Sequence, residues 1–348
     1  MNNHFHAEDL LQLAVKLLTV CGMSAHMAEE IGGALVEADL LGHGTHGLAL
    51  LSIYLEEIGL GHMALHGEPT VVSDHQAVVT WNGNWLPGQW LVSQALQVAT
   101  QRSRQYGVGM VAIGRSHHIG CLAVYLNRVT RAGLVAHICS SAPTTRSVAP
   151  FGGLDGALSP NPIGFGIPMP HGDILIDVST SITSNSLVGQ YCRQKSPLPG
   201  PWLQDADGRI TDNPKALKEG GTLLPLGGLD AGHKGFGLAL MVEALTSGLA
   251  GYGRADQFEG IGASVLVQVF DPDAFSGRDR FDLQMQATAA TCLESRPRNP
   301  KQAVRLPGQH GQSRRRQQLE QGIELTAQTV SELRRWAGTL SVTMPDPF

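Results

Sequence analysis

The sequence predicts an α/β protein whose chain begins with a helical unit. Leucine and alanine recur at helical spacing over residues 10–18, and apolar residues do so again over 25–41. Farther along, apolar runs of strand length, such as 108–113, alternate with segments of helix length. The fingerprint G-x-G-x-x-G follows none of these predicted strands, so the usual Rossmann arrangement is not predicted.

Composition limits the function classes that remain open. The chain has 348 residues, enough for a large core and two domains, and a formal net charge of −5. A mildly acidic chain gives no reason to expect nucleic acid or an anionic membrane as a partner. The five cysteines are scattered without a CxxC pair, and neither a signal peptide nor an apolar run of membrane-spanning length is visible. We therefore expect a cytoplasmic protein.

The junction between the first helices, residues 42–47 with the sequence GHGTHG, carries the first candidate chemistry. Thr45 is placed to cap the next helix, which would put His46 in its first turn. The positive end of the helix dipole would then lower the pKa of His46 and suit it to proton transfer near neutral pH. The alternative is a helix corner with a buried, hydrogen-bonded histidine.

The middle of the chain predicts strands within 71–81, a helix over 91–105 and a buried strand over 108–113. A polar loop, 115–120, follows that strand and contains Arg115, His117 and His118. A helix over 121–132 and a strand over 134–140 complete an αβ unit. The proline-rich residues 141–170, which include Asn161, are predicted to form an ordered loop lining a cleft, and a strand over 174–178 delivers Asp177.

The last third of the chain predicts an apolar helix over 235–250, opened by Gly232, His233 and Lys234. Glycines and a lysine at a helix start form a plausible anion site, although glycines there also allow close packing. A strand over 264–270, a helix over 278–294, a turn at 305–308 and one polar helix over 313–337 complete the chain.

The histidines also raise the possibility of a metal site. His43 and His46 lie three residues apart, and His117 and His118 are adjacent. Catalytic zinc needs a third ligand, and neighbouring histidines on a strand point to opposite sides, so at most one of the adjacent pair can join His46. We therefore predict no metal, and keep a histidine–metal hydrolase or lyase as an alternative.

Taken together, eight strings resemble the malate/L-lactate dehydrogenase-like family of NAD(P)-dependent oxidoreductases. In order they are EADLLGHGTHG, GRSHHIG, VAPFGG, LSPNPIGFGIP, IDVSTS, LLPLGG, GHKGFGLALMVEALTSGLAG and RLPG. The family includes sulfolactate and ureidoglycolate dehydrogenases, diketogulonate reductases and cyclic imino-acid reductases. The resemblance implies an α/β fold with a non-Rossmann mixed sheet flanked by helices, a helical N-terminal and C-terminal part, and a homodimer.

The resemblance implies three regions and an enzyme of known chemistry. Residues 1–75 would form a helical domain carrying the catalytic histidine, 76–311 an α/β domain that binds the nicotinamide cofactor, and 312–348 a C-terminal helix packing back on the N-terminal part. The enzyme would transfer a hydride between NAD or NADP and a small 2-oxo acid, 2-hydroxy acid or cyclic imino acid, such as Δ1-piperideine-2-carboxylate or Δ1-pyrroline-2-carboxylate.

The same resemblance implies site residues, motif by motif. His46 matches the catalytic acid/base, Thr45 the neighbouring hydroxyl, Asp177 the aspartate near that histidine, and His118 a second histidine of the cleft. The residues implied for cofactor binding are Asp173, Ile174, Leu175, Ile176, Asp177, Val178, Ser179, His233, Lys234, Gly308, Gln309 and His310.

Three departures from the family pattern concern the substrate and the cofactor. Leu50 stands where many relatives carry an arginine that holds the substrate carboxylate, so Arg115, Arg146, Asn161 or backbone amides are the candidates here. Residues 184–187 (SNSL) replace A-x-G-K, and 309–310 (QH) replace an acidic residue. A nucleotide-binding protein with degraded catalysis is therefore a further alternative.

Overall fold

The computed structural model describes residues 3–257 and 260–348, and a central sheet lies between helices. The strands are β1 (His4–Phe5), β2 (Thr70–His75), β3 (Val78–Asn82), β4 (Val108–His117), β5 (Val135–Ser141), β6 (Ile163–Ile167), β7 (Ile174–Val178), β8 (Leu203–Gln204), β9 (Ile210–Thr211), β10 (Thr222–Leu223), β11 (Gly262–Phe270) and β12 (Ile323–Glu324). The helices are α1 (Ala7–Val20), α2 (Ala25–Leu40), α3 (Leu51–Gly59), α4 (Gly88–Tyr106), α5 (Ala123–Thr130), α6 (Asn185–Gln194), α7 (Gly228–Glu243), α8 (Arg278–Leu293), α9 (Gln309–Gln321) and α10 (Ala327–Thr339).

Seven strands form the central sheet in the order β2-β3-β4-β11-β5-β6-β7. Within this sheet β3 and β4 run parallel, whereas the other neighbouring pairs are antiparallel. The structure therefore confirms the mixed, non-Rossmann α/β fold class. Because β11 lies antiparallel between β4 and β5, those two strands point the same way, and α5 forms the crossover between them.

The centre of the sheet is covered on both faces. Val111 and Ile113 of β4 belong to the main buried cluster, which includes side chains of α4. Ala112, between them, packs with Leu266 of β11 and Val242 of α7 on the opposite face. A strand with two buried faces carries an uninterrupted apolar run, which is why the sequence identified it. The strand extends to His117, however, so the loop predicted from residue 115 begins three residues later.

Helices from both ends of the chain surround the N-terminal part. α1 and α4 pack on α2, α9 contacts α2, α10 contacts α3, and β1 pairs with β12. The single polar helix predicted over 313–337 is wrong, because Gly322, at φ 85°, and β12 divide this segment into α9 and α10. β2 belongs to the central sheet although it precedes residue 76. The three-region division stays a prediction.

The predicted loop over 141–170 contains β6, and beyond it lies a small sheet in the order β10-β8-β9. A tight turn joins β8 to β9, where the Asp205 carboxylate accepts hydrogen bonds from the amides of Asp207 and Arg209. In residues 3–257 and 260–348 no helix has the length and apolar character needed to cross a bilayer.

Candidate active site

The turn after α2 holds His46 differently from the prediction. Gly44–His46 and Leu48–Leu50 form two short 3-10 turns, and α3 begins only at Leu51. The prediction that Thr45 caps a helix with His46 in its first turn is wrong, because the Asp39 carboxylate accepts the hydrogen bond from the Leu48 amide at 2.7 Å. The Thr45 hydroxyl instead lies 3.2 Å from Nδ1 of His46.

Asp39 fixes the shape of this turn from beneath. Its carboxyl group is buried, and burial raises its pKa to about 7 against the lowering effects of the Leu48 amide and the Arg314 charge. A Cβ atom added at Gly47 would lie 2.2 Å from Oδ1 of Asp39. Only glycine therefore fits next to His46 without displacing the aspartate.

His118 and His46 face each other across the site. Their ring centroids lie 6.2 Å apart, and the ring planes are inclined by 20°. The preceding residue, His117, has a different partner, because its Nε2 lies 3.5 Å from Oε2 of Glu57. Of the two adjacent histidines, only His118 therefore faces His46.

Both facing histidines are neutral at neutral pH. Burial is the main cause that lowers the pKa of His46; the charge of Asp177 raises it in part, and His43 adds a smaller lowering effect. Burial, followed by the charges of His46 and His117, lowers the pKa of His118 to about 3. The direction predicted for His46 is therefore confirmed, but its main cause is desolvation and not a helix dipole.

Two buried residues that the sequence did not single out orient His118. The Tyr54 hydroxyl lies 2.8 Å from Nδ1 of His118, and Nε2 of Gln89 donates to this hydroxyl at 2.7 Å. Because the Tyr54 oxygen accepts from Gln89, its own proton is directed to His118. Nδ1 of His118 is then the acceptor, and the ring carries its proton on Nε2.

Asp177 reaches the site from β7. Its Oδ2 accepts hydrogen bonds from the Ala123 amide at 2.9 Å and from Sγ of Cys121 at 3.3 Å. The carboxylate thus sits at the start of α5, where the helix dipole favours a negative charge. The sheet edge and this helix together place the charge of Asp177 close enough to His46 to act on its pKa.

A cavity of about 350 Å³ opens beside Asp177, whereas Thr45, His46 and His118 are not part of its wall. Its walls come from the end of α2, the start of α5, β7 and the start of α9. Of the residues predicted to bind cofactor, six line the cavity: Leu175, Ile176, Asp177, Val178, Gly308 and His310. His43 and Arg314 line it as well, although no cofactor role was predicted for them.

The cavity fits a nicotinamide dinucleotide in chemical terms. Leu41, Leu175 and Pro307 offer apolar surface for flat rings, while His310 and Arg314 offer hydrogen-bond donors for phosphate oxygens. Gly308, at φ 90°, lets the turn approach β7, since a Cβ atom there would lie 2.8 Å from Cβ of Leu175. When bound, such a cofactor would supply or accept the hydride.

Other predicted cofactor residues lie elsewhere in the described chain. α7 begins at Gly228, so His233 and Lys234 stand inside the helix, and the prediction of an anion site at a helix start there is wrong. Both side chains are exposed. The Asp173 carboxylate accepts from Thr130 and from the Met169 amide. Ile174, Ser179 and Gln309 are also absent from the cavity wall.

The candidates for substrate binding are not brought to the cavity either. Asn161 is fully buried, and its Nδ2 donates to the Ala239 carbonyl and to Glu243. The guanidinium of Arg115 lies over the Tyr252 ring, 5.1 Å from its centroid. Arg146 is exposed and does not line the cavity. Their roles toward substrate stay predictions that this arrangement does not support.

Among residues 3–257 and 260–348, no group of three or more His, Cys, Asp or Glu side chains is arranged to hold a metal ion. The geometry instead joins a neutral histidine pair, a carboxylate and a cavity with apolar and cationic walls. Such an arrangement suits proton transfer beside a hydride carrier.

A family model described as malate/L-lactate dehydrogenase matches residues 5–334. The chain belongs to this family. A (2R)-3-sulfolactate dehydrogenase (NADP(+)) from Chromohalobacter salexigens is 35% identical over 341 residues, which cover 93% of this chain and 95% of the relative. A malate dehydrogenase from Pyrococcus horikoshii is 28% identical over 342 residues, covering 96% and 94%.

Solved structures of the family have the same fold. The malate dehydrogenase from Pyrococcus horikoshii OT3 superposes with a TM-score of 0.89 at 25% identity, covering 98% of this chain and 97% of that one. A Δ1-piperideine-2-carboxylate reductase from Pseudomonas syringae superposes with a TM-score of 0.83 at 26% identity, covering 96% and 99%. The chain is thus an oxidoreductase of the hydroxy-acid dehydrogenase type, and the metal hydrolase alternative is set aside.

Proposed function

We propose that this enzyme transfers a hydride between NAD(P) and a small carboxylate substrate, either a 2-oxo or 2-hydroxy acid or a cyclic imino acid. The observation that carries the proposal is that His46 faces His118 and is influenced by the charge of Asp177, which itself lines the cavity between β7 and α9. The names of two relatives, a sulfolactate dehydrogenase and a piperideine-carboxylate reductase, support both substrate classes.

His46 acts as the acid/base in this proposal. In oxidation its neutral ring accepts the proton that leaves the substrate oxygen or nitrogen, and in reduction the imidazolium returns it. Thr45, 3.2 Å from Nδ1, orients the ring, and the Asp177 charge stabilises the imidazolium. General acid–base assistance of this kind contributes about 10²- to 10⁴-fold to the rate.

His118 acts as a neutral hydrogen-bond donor. With Nδ1 bound to Tyr54, the proton on Nε2 is available to the same substrate heteroatom that exchanges a proton with His46. A pKa of about 3 keeps the ring from becoming charged, so it can polarise a carbonyl or imine without competing for the proton. The two histidines thus have separate roles despite their similar environment.

Because residue 50 is a leucine and not an arginine, other hydrogen-bond donors must bind the substrate carboxylate. Leu50 is buried in the main apolar cluster and has no polar group. Ser184, where the family lysine segment begins, accepts the hydrogen bond from the Leu187 amide and caps α6, which contacts the Gly44–His46 turn. We infer from these changes that the preferred substrate is a cyclic imine or a bulky oxo acid.

We also propose a cytoplasmic homodimer. α7 exposes Leu229, Leu238, Leu240 and Met241, an apolar surface that a second subunit would cover. The five cysteines are free, which suits a reducing compartment. Size-exclusion chromatography with light scattering tests the dimer, and replacing Leu240 with glutamate is expected to yield monomers. A monomeric wild-type protein would refute it.

The experiment that tests the activity follows reduced nicotinamide absorbance with a substrate panel. The panel contains pyruvate, oxaloacetate, sulfopyruvate, diketogulonate and Δ1-piperideine-2-carboxylate, each with NADH and NADPH. We expect turnover with at least one of them. Cofactor binding without turnover of any substrate would favour degraded catalysis, and absence of binding to either nucleotide would refute the proposed function.

A further inference from the structure

The three consecutive arginines of α9 have three different environments. Nε of Arg315 donates to both carboxylate oxygens of Glu37, at 2.7 and 3.0 Å. Arg316 is exposed, away from the cavity. Arg314 lines the cavity, and within residues 3–257 and 260–348 its guanidinium has no ion-pair partner. One cation of this cluster is therefore directed at the site and not at another side chain.

The helix that carries Arg314 is firmly attached to the turn that carries His46. Nε2 of Gln318, one turn farther along α9, donates to the carbonyls of Asp39 and Leu40 at 2.8 and 2.9 Å. A Cβ atom at Gly42 would lie 2.8 Å from Cδ of Arg314. The arginine stem thus rests on a glycine at φ 88°, where a larger residue would push it away.

The surroundings of Arg314 leave its charge available. Asp39 is the nearby acid whose pKa the arginine affects, but burial holds that pKa near 7, so the acid is only partly ionised at neutral pH. His310, one turn earlier on α9, lines the same cavity, and its Nδ1 lies 3.2 Å from Nη1 of Arg305. The N-terminal end of α9, with Gly308 as its cap, adds a positive dipole.

We propose that Arg314, with His310, binds a phosphoryl group of the nicotinamide dinucleotide. The inference rests on the proposed function, because it assigns a ligand group within the same cavity. A guanidinium forms paired hydrogen bonds with phosphate oxygens, and a dinucleotide carries two phosphates in its diphosphate and a third on the ribose in NADP. The wall formed by β7 and Gly308 continues directly into the α9 surface.

The test measures dissociation constants of NADPH and NADH for the full-length protein by nucleotide fluorescence. Arg314→Gln is compared with Arg316→Gln, a matched control two residues along the same helix, after both are shown to be folded by circular dichroism. Removal of a charge-assisted contact should raise the NADPH dissociation constant about 10- to 100-fold in Arg314→Gln and less than twofold in Arg316→Gln.

The two nucleotides distinguish the phosphates. A loss confined to NADPH assigns Arg314 to the ribose phosphate, and an equal loss for both assigns it to the diphosphate; either result supports the inference. Unchanged constants for both nucleotides overturn it, as does a rise only in the KM of the carboxylate substrate. If the wild-type protein binds neither nucleotide, the proposed function itself has failed, which is a separate result.

Discussion

Replacing Tyr54 with phenylalanine removes the hydroxyl that links Gln89 to His118 through two hydrogen bonds. The ring of Tyr54 is fully buried, so phenylalanine keeps the apolar packing and deletes only two hydrogen bonds. The variant leaves Nδ1 of His118 and Nε2 of Gln89 without their present partner. The structure therefore predicts loss of the fixed tautomer of His118, with the backbone of the site unchanged.

The size of the effect follows from the cost of an unsatisfied buried polar group, about 1–3 kcal/mol. If that energy is lost from the transition state, kcat falls about 5- to 150-fold. The KM of the substrate and the dissociation constant of NADPH should change little, because neither depends on the tyrosine hydroxyl directly. A comparable loss is expected in the free energy of unfolding.

The assay is steady-state kinetics on the substrate that the panel identifies, with kcat corrected for the folded fraction from urea unfolding. Tyr252→Phe is the control, because Tyr252 is also buried and its hydroxyl has no hydrogen-bond partner within the described residues. Combining Tyr54→Phe with Gln89→Leu should cost no more than Tyr54→Phe alone, since both act through one hydroxyl. A kcat within twofold of wild type in Tyr54→Phe would show that the hydrogen bonds of Tyr54 do not orient His118 for catalysis.

Three other changes test the site. His46→Ala should lower kcat by at least 10²-fold while NADPH still binds, and near-normal turnover would remove His46 from its role. Gly47→Ala should cost about 1–3 kcal/mol in urea unfolding, because its Cβ would lie 2.2 Å from Asp39; an unchanged midpoint contradicts this. Asp39→Asn tests the raised pKa of Asp39. With a pKa near 7 in the folded state against 3.8 in the unfolded state, the wild type gains about 2.6 kcal/mol of stability relative to the variant as pH falls from 8 to 5, and a constant difference would refute the raised pKa.

Local patterns in the sequence were sufficient where neighbours along the chain decide the structure. The run at 108–113 is apolar because helices cover both faces of β4, and the period of the first helices reflects their packing. The ordered motifs predicted that Asp177 and Gly308 both contact the cofactor, and both residues line the same cavity. These features depend on residue type and spacing, which a sequence displays directly.

The errors and omissions arise from contacts between distant parts of the chain. The carboxylate of Asp39, and not the hydroxyl of Thr45, accepts the hydrogen bond from the Leu48 amide, and these two residues lie nine positions apart in the sequence. The hydrogen bond between Tyr54 and His118 joins residues 64 positions apart. A tyrosine in an apolar helix indicates that its buried hydroxyl has a hydrogen-bond partner, but the sequence does not identify that partner. The sequence shows three adjacent arginines at 314–316 without indicating which of them faces the cavity, and only the packing of α9 on α2 through Gln318 decides this.

The cationic side chains limit how the two anionic ligands share this site. With Leu50 buried, the basic side chains on the wall of the cavity are His43, His310 and Arg314. If Arg314 and His310 bind phosphate, the substrate carboxylate is left with His43, with backbone amides near the Gly44–His46 turn, or with a group from a second subunit. His233 and Lys234 lie on the exposed apolar face of α7 that we propose as the dimer contact. In such a dimer, His233 and Lys234 would be able to reach the cavity of the second subunit, which would reconcile the cofactor-binding role implied by the family with their absence from the cavity of their own chain. Ligand binding would then depend on dimer formation.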